Sequence, residues 1–322
     1  MEVDQKIAVS VVCNAYNHEN YIRDALESFL MQKTNFKFEV LVHDDASTDK
    51  TAEIIREYEE KHPEIIKPVY QKENQYSQGI KYANVYQYPR VKGKYIAVCE
   101  GDDYWTDPYK LQKQFDALES NPQVDICAHT ADVVEAETKK NIKEICPSKE
   151  DTIFSAEEVI WGEGGFVATN SLMYRKELST LEHPSFRKFL SLDYTLQIQG
   201  SLRGGMLYLK DNMSAYRWLS VGSWTARMKQ KKEQQRAFYE KKQAMLLLLD
   251  KDTNFIYKDT ICCRLRKNEF VQLLNEENYC KALSSQYKDL YKKIKFKERL
   301  KIRIKAHFPF LMKLKRKISG NK

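Results

Sequence analysis

No stretch of 18 apolar residues occurs in this 322-residue chain, so no segment reads as a membrane-spanning helix. There is no CxxC pair, which argues against a zinc framework. GxGxxG and GxxxxGK[ST] are both missing, and with them the dinucleotide and P-loop phosphate cradles. The N-terminus, Met1-Glu2-Val3-Asp4, lacks the basic and apolar regions of a signal peptide. Seven cysteines, Cys13, Cys99, Cys127, Cys146, Cys262, Cys263 and Cys280, follow no framework and are odd in number. They read as reduced thiols of a cytoplasmic protein.

Acidic residues are scarce in one place only. Residues 291–322 hold 13 Lys or Arg and a single acid, Glu298, whereas the other 290 residues hold 40 bases and 44 acids. The formal net charge of +8 therefore belongs to a tail. A mildly acidic body argues against nucleic-acid binding.

What is present is a regular alternation. Ile7–Asn14 is an apolar run ending in polar residues, as a buried parallel strand does. Ile22, Leu26, Phe29 and Leu30 mark one face of a helix over Tyr21–Met31. Phe38–His43, Pro68–Tyr70, Tyr95–Cys99 and Val124–Ala128 read as further strands, and Thr51–Glu60 as a second helix. Asp107-Pro108 predicts an N-cap and first position for a third helix that Asn121-Pro122 ends. The expected fold class is α/β, a doubly wound, mostly parallel sheet flanked by helices. Residues 135–165 read as polar and irregular. Short strands are expected at Thr169–Tyr174, Met206–Leu209 and Met213–Arg217. From about Thr225 glycine and proline almost vanish, which predicts helices over Arg227–Leu249, Cys262–Asn275 and Ala282–Lys293.

Two acidic clusters fall where strands should end. The first is His43-Asp44-Asp45-Ala46-Ser47-Thr48-Asp49, and the second is Glu100-Gly101-Asp102-Asp103. Adjacent carboxylates at the end of an apolar strand repel one another and are costly to desolvate. A cation or a dense set of donors relieves that cost. In open α/β sheets ligands bind at these strand ends. Mg²⁺ and Mn²⁺ prefer oxygen ligands and bridge carboxylates to phosphates. The competing reading of the first cluster is a cap for the Thr51 helix, and of the second an ordinary polar loop.

Three segments, in order, carry a resemblance. Ser10-Val11-Val12-Cys13-Asn14-Ala15-Tyr16-Asn17, then Asp44-Asp45-Ala46-Ser47-Thr48-Asp49, then Glu100-Gly101-Asp102-Asp103-Tyr104-Trp105 resemble the inverting glycosyltransferases of family 2 over residues 5–225 or so. The resemblance implies a GT-A fold and a nucleotide-sugar donor. It implies that Tyr16, beside Asn14, packs on the nucleobase, and that Asp45 holds the base. It places Asp102 and Asp103 at the ribose and a metal-diphosphate of Mg²⁺ or Mn²⁺, with Glu100 in support. Ser191-Leu192-Asp193-Tyr194-Thr195-Leu196 looks like the acidic segment that makes Asp193 the general base. A plain helix cap is the competing reading. Thr169-Asn170-Ser171 lies where the acceptor cavity is often lined. Arg217 would neutralise leaving diphosphate, but Leu219 stands where many members carry a histidine.

The implied organisation is a GT-A domain over 1–225, with 1–130 as its nucleotide-binding half and 131–225 as its acceptor half. A helical extension follows over 226–290, then a basic amphipathic tail over 291–322. Within that tail Ile304, Phe308, Leu311, Leu314 and Ile318 recur at spacings of three and four, suited to an anionic membrane surface. A solvated tail and a partner-binding helix are the alternatives, and Pro309 marks a break or a helix start.

The functional expectation is metal-assisted transfer of a sugar, with inversion, to a glycan or lipid-linked acceptor. Bacterial surface-polysaccharide synthesis at the inner face of the cytoplasmic membrane is what the resemblance implies. A UDP-sugar is favoured, because a carboxylate accepts uracil N3–H; thymine offers the same group. An inactive scaffold with this fold and a sugar nucleotidyltransferase are the alternatives, the latter weakened by the absence of glycine from Asn14-Ala15-Tyr16-Asn17.

Overall fold

The computed structural model describes residues 6–81, 83–180, 192–220 and 232–307. The chain divides into two compact units, residues 1–231 and 232–322.

In the first unit a ten-stranded mixed sheet has its main path in the order β3-β2-β1-β4-β9-β6-β10-β5. Strands β1 (Ile7–Ala15), β2 (Lys37–Asp44), β3 (Ile66–Tyr70) and β4 (Tyr95–Val98) pair in parallel. Over most of their length β1, β2 and β4 are buried on both faces, which explains their apolar runs, whereas β3 at the edge is only half-buried. Helices α1 (Ile22–Leu30) and α2 (Thr51–Lys61) connect them, and α3 (Lys110–Ser120) follows β4 and the short β5 (Tyr104–Trp105). Ile22, Leu26 and Phe29 of α1 lie in the same core as Val9, Val11, Val40 and Val42 of the strands. Each such buried aliphatic side chain contributes roughly 1.5–3 kcal/mol relative to exposure.

Strand β6 (Ile126–Glu135) continues the sheet. On one side it pairs in parallel with β10 (Met206–Trp218); on the other it pairs first with β9 (Met173–Arg175) and then with β7 (Asn141–Ile145). The two strands expected at Met206–Leu209 and Met213–Arg217 are one, its register shifting between Leu209 and Ser214. That bulged strand carries β8 (Thr152–Phe154) near its start and β5 further along.

Three sequence expectations need correction. Residues 135–165 are not irregular: they form β7, β8 and helix α4 (Ala156–Gly162). Strand β7 is almost wholly exposed, so no apolar pattern betrays it. Asp107 does not cap α3 directly; its Oδ1 accepts Tyr109 N at 2.8 Å and its carbonyl accepts Lys110 N, forming a turn ahead of the helix. Thr169–Ser171 is a 3-10 turn leading into β9 rather than strand.

Among the described residues the second unit is helical: α6 (Lys232–Asp252), α7 (Lys258–Asn275), three short helical segments, and α8 (Phe296–His307). Phe270, Leu273, Tyr287, Leu290, Tyr291 and Ile302 form its core. Among the described residues no helix is long and apolar enough to cross a membrane. Phe308, Leu311, Leu314 and Ile318 of the expected tail lie outside them.

Candidate active site

The parallel strands β1, β2 and β4 end side by side, so Asn14, Asp44 and the Glu100 turn meet at one sheet edge. The loops after β1 and β2 are laced together. Asn17, in the left-handed region at φ 56°, donates its N–H to Ser47 Oγ at 2.9 Å, and its Oδ1 accepts Thr48 N at 2.8 Å. Asp49 Oδ1 accepts Thr51 N at 2.9 Å, so this residue restrains the start of α2. The capping reading thus accounts for Asp49, while Ser47 and Thr48 tie the two loops together, and Asp44 and Asp45 are left.

Asp44 is buried with Oδ1 unpartnered among the described residues, and burial raises its carboxyl pKa. Asp45 is buried too. Its two oxygens accept the backbone N–H groups of Gln75 at 2.7 Å and Tyr76 at 3.1 Å. No sequence signal pointed to those amides. Each carboxylate oxygen still has a second lone pair for a ligand N–H. Tyr16 is half-buried just beyond β1.

After β4 the chain turns sharply at Gly101. A Cβ there would come within 2.9 Å of His18 Nδ1 and 3.1 Å of the Ala15 Cβ, so only glycine fits the turn against the β1 loop. Asn14 Nδ2 donates to Glu100 Oε1 at 3.4 Å. Burial first, then repulsion from Asp102 and Asp193, push the Glu100 carboxyl up to about 8. The same acid turn adds to the burial that raises the Cys13 and Cys99 thiols. Asp193, in the first turn of α5 (Leu192–Ser201), is also raised by burial and shares a hydrogen bond with the Thr169 hydroxyl. The fold therefore brings Asn14, Glu100, Asp102 and Asp193 to one place, from elements up to 179 residues apart.

Asp103 and Arg217 take other positions than expected. Asp103 is buried, and its Oδ1 accepts Arg217 N at 2.8 Å; burial raises its carboxyl strongly. Arg217 has only 1% of its side chain exposed. Its guanidinium donates to the Asp102 carbonyl at 2.7 Å, pairs with Asp24, and lies against the rings of Tyr104 and Tyr21. These contacts brace the acid turn and leave little of Arg217 open to solvent. Ser220 donates to Asp102 Oδ2 at 2.5 Å. Asn170 is buried as a joint: its Nδ2 donates to the Ala215 carbonyl and its carbonyl accepts Trp105 Nε1, both at 2.9 Å. Leu219, at the departing position, is 38% exposed with φ 59°.

Among the described residues no group of three or more His, Cys, Asp or Glu is placed to hold a metal alone. The donor set nevertheless fits a hard cation shared with a ligand. Glu100 and Asp102 are oxygen donors at a strand end, and Asp102 and Asp193 both repel the buried Glu100 carboxylate.

Comparison with known proteins bears on the family and the fold. The family described as Glycosyl transferase family 2 matches residues 10–180. An uncharacterized protein of Mycobacterium tuberculosis (strain ATCC 25618 / H37Rv) is 34% identical over 216 residues, which are 67% of this chain and 60% of that protein. The UDP-Glc:alpha-D-GlcNAc-diphosphoundecaprenol beta-1,3-glucosyltransferase WfaP of Escherichia coli is 34% identical over 112 residues, 35% of this chain and 41% of its own. The matches thus span three-fifths or less of these relatives. The crystal structure of S. aureus TarS 1–349 in complex with UDP-GlcNAc has the same fold, with a TM-score of 0.63 at 20% identity, covering 91% of this chain and 78% of that one. With a family match over more than half its length and a GT-A fold, the chain belongs to glycosyl transferase family 2.

Proposed function

We propose that this protein transfers a sugar from a nucleotide-sugar donor to the hydroxyl of a glycan or lipid-linked acceptor, with inversion at the anomeric carbon. The observation that carries this reading is the meeting of Glu100, Asp102 and Asp193 at the ends of parallel strands. Asp193 takes the acceptor proton as that oxygen attacks. Burial, which raises its carboxyl, makes it a stronger base than a solvated aspartate. One displacement then inverts the centre. Asp45 accepts the base N–H through its remaining lone pairs, and Tyr16 and Asn14 line the nucleoside side.

Asp102, with Glu100, would hold Mg²⁺ or Mn²⁺ against the donor diphosphate. A bound divalent cation supplies charge that offsets the departing nucleotide. Asp103 and Arg217 support that turn from behind rather than touching the donor. UDP is the favoured nucleotide, since the E. coli relative is named for UDP-Glc and TarS was solved with UDP-GlcNAc. The same relative, named for a diphosphoundecaprenol substrate, supports a lipid-linked acceptor and a role in polysaccharide synthesis.

The test is release of UDP from a panel of UDP-sugars with Mn²⁺ and a membrane extract as acceptor source. Asp193→Asn should lower turnover by about 10²–10⁴-fold while UDP binding survives, because a general base contributes that much to rate. Asp193→Asn turnover equal to wild type would remove the assigned base. UDP binding with no turnover of any donor would favour the inactive scaffold.

A further inference from the structure

Helix α8 uses one apolar face and leaves another open. Ile302 is buried in the core of its own unit beside Tyr291 and Leu290. Phe296, Leu300 and Ile304 are 72%, 50% and 42% exposed. Their four-residue spacing turns each about 40° from the last, so they form one stripe, on the side of the helix away from Ile302. Large apolar side chains exposed in a row mark a contact surface more often than scattered ones do.

Cations border that stripe on both sides. By the same helical phase Lys297 and Lys301 fall on one flank, and Arg299 and Arg303 on the other. Lys301 pairs with Glu298 at 2.6 Å, but both are more than half exposed, a geometry that holds weakly in water. In sequence the spacing continues through Phe308 and Leu311.

We propose that the outward stripe of α8 docks this chain on an anionic lipid surface. The helix lies in the plane of the interface. Phe296, Leu300 and Ile304 enter the acyl boundary while the flanking cations reach lipid phosphates. The occupant follows from the pattern: an apolar row between two basic rows matches a surface with an apolar interior and a negative rim. This surface lies on the helical unit and stands apart from the sugar-transfer reading, so either can fail without the other.

The experiment is co-sedimentation of the full chain with vesicles of phosphatidylcholine, alone or containing about one-third phosphatidylglycerol, at low and physiological salt. Binding should require the anionic lipid and weaken as salt rises. A double Phe296→Ser/Leu300→Ser variant should lose affinity by about tenfold or more, with unchanged circular dichroism and melting, since neither side chain is in the core. Lys297→Ala/Arg303→Ala should weaken binding several-fold and flatten the salt dependence. Undiminished binding by the serine variant would place the contact elsewhere and overturn the proposal. So would no vesicle binding by the folded protein. A wild-type dimer that dissociates in the serine variant would also overturn it, by making the stripe a surface between copies.

Discussion

Asp24 and Arg217 stand 193 residues apart in the chain and form the ion pair behind the acid turn. The family resemblance implied that Arg217 would neutralise leaving diphosphate, a role that the planar donors of arginine suit. Its burial depends on Tyr21 and Tyr104, two rings from distant elements that no local spacing links to it. Lys139 adds a second cation to Asp24 at 2.8 Å. Asp24→Asn should cost about 2 kcal/mol. That is below the loss of a partner in a fully buried pair, because Asp24 remains about a third exposed. Urea denaturation at pH 7 measures this, and an unmoved midpoint would show that Arg217 is held by its carbonyl and ring contacts alone. Lys110 offers a second residue-scale case. It is wholly buried, and its Nζ lies 3.9 Å from the Trp105 ring centre with no hydrogen-bond partner among the described residues. Burial pulls its amine down to about 7 against an unfolded value near 10.4. Between those values the unfolded chain binds the extra proton, so stability rises with pH across that window and the cost is complete below it. The ring's attraction for the cation opposes this, at about 2 kcal/mol or less, and is the smaller effect. Lys110→Met should therefore melt higher than wild type at pH 6.5, with the gap closing toward pH 10. A gap independent of pH would mean that the folded amine stays charged.

At the scale of elements, the buried strands were the legible part. β1, β2 and β4 announce themselves by apolar runs because parallel strands bury both faces. The exposed β7 carries no such signal, and α4 was missed although Ser155 and Glu158 form its capping box, an S-x-x-E pattern visible in the sequence. The site followed the same rule: acids at strand ends were found, whereas the Gln75 and Tyr76 amides that hold Asp45 were not, since backbone donors leave no mark in sequence. The placing of β4 rests on Gly93. A Cβ there would lie 2.5 Å from Ser10 N and 2.7 Å from the Val9 carbonyl carbon, backbone that cannot yield. Ser10 Oγ also accepts Gly93 N at 2.9 Å while donating to Glu39 at 2.6 Å, a buried joint between β1, β2 and the entry to β4. Gly93→Ala should thus cost about 3 kcal/mol or more and lower transfer activity with it, because β4 carries Glu100 and Asp102. Gly165→Ala, where a Cβ meets nothing within 4 Å among the described residues, should melt within a degree or two of wild type. Equal melting of the two variants would mean that β4 can shift without loss.

At the scale of the molecule, the near absence of glycine and proline after Thr225 marked the helical unit, and the basic excess after residue 290 marked its end. Helix boundaries were less legible, as shown by α7 starting at Lys258 rather than Cys262. A helix that packs on its neighbours can extend past the residues that show its apolar period. All the proposed donor-side residues belong to the first unit, so nucleotide binding should be felt as stability there. A ligand at a hundred times its Kd adds about 2.7 kcal/mol to the state that binds it. For a unit of this size that corresponds to a rise of about 5–10 °C in melting temperature. Scanning calorimetry with UDP should show such a rise in Mn²⁺ and a smaller one in EDTA, because Asp102 and Glu100 alone repel a diphosphate that a cation would bridge. Asp102→Ala should remove the difference between the two conditions, whereas Asp103→Ala should lower the melting temperature before any ligand is added, because Arg217 N loses its buried acceptor. An equal rise in EDTA and Mn²⁺ for the wild type would take the metal out of donor binding and leave the nucleotide held by the Asp45 side of the cleft alone.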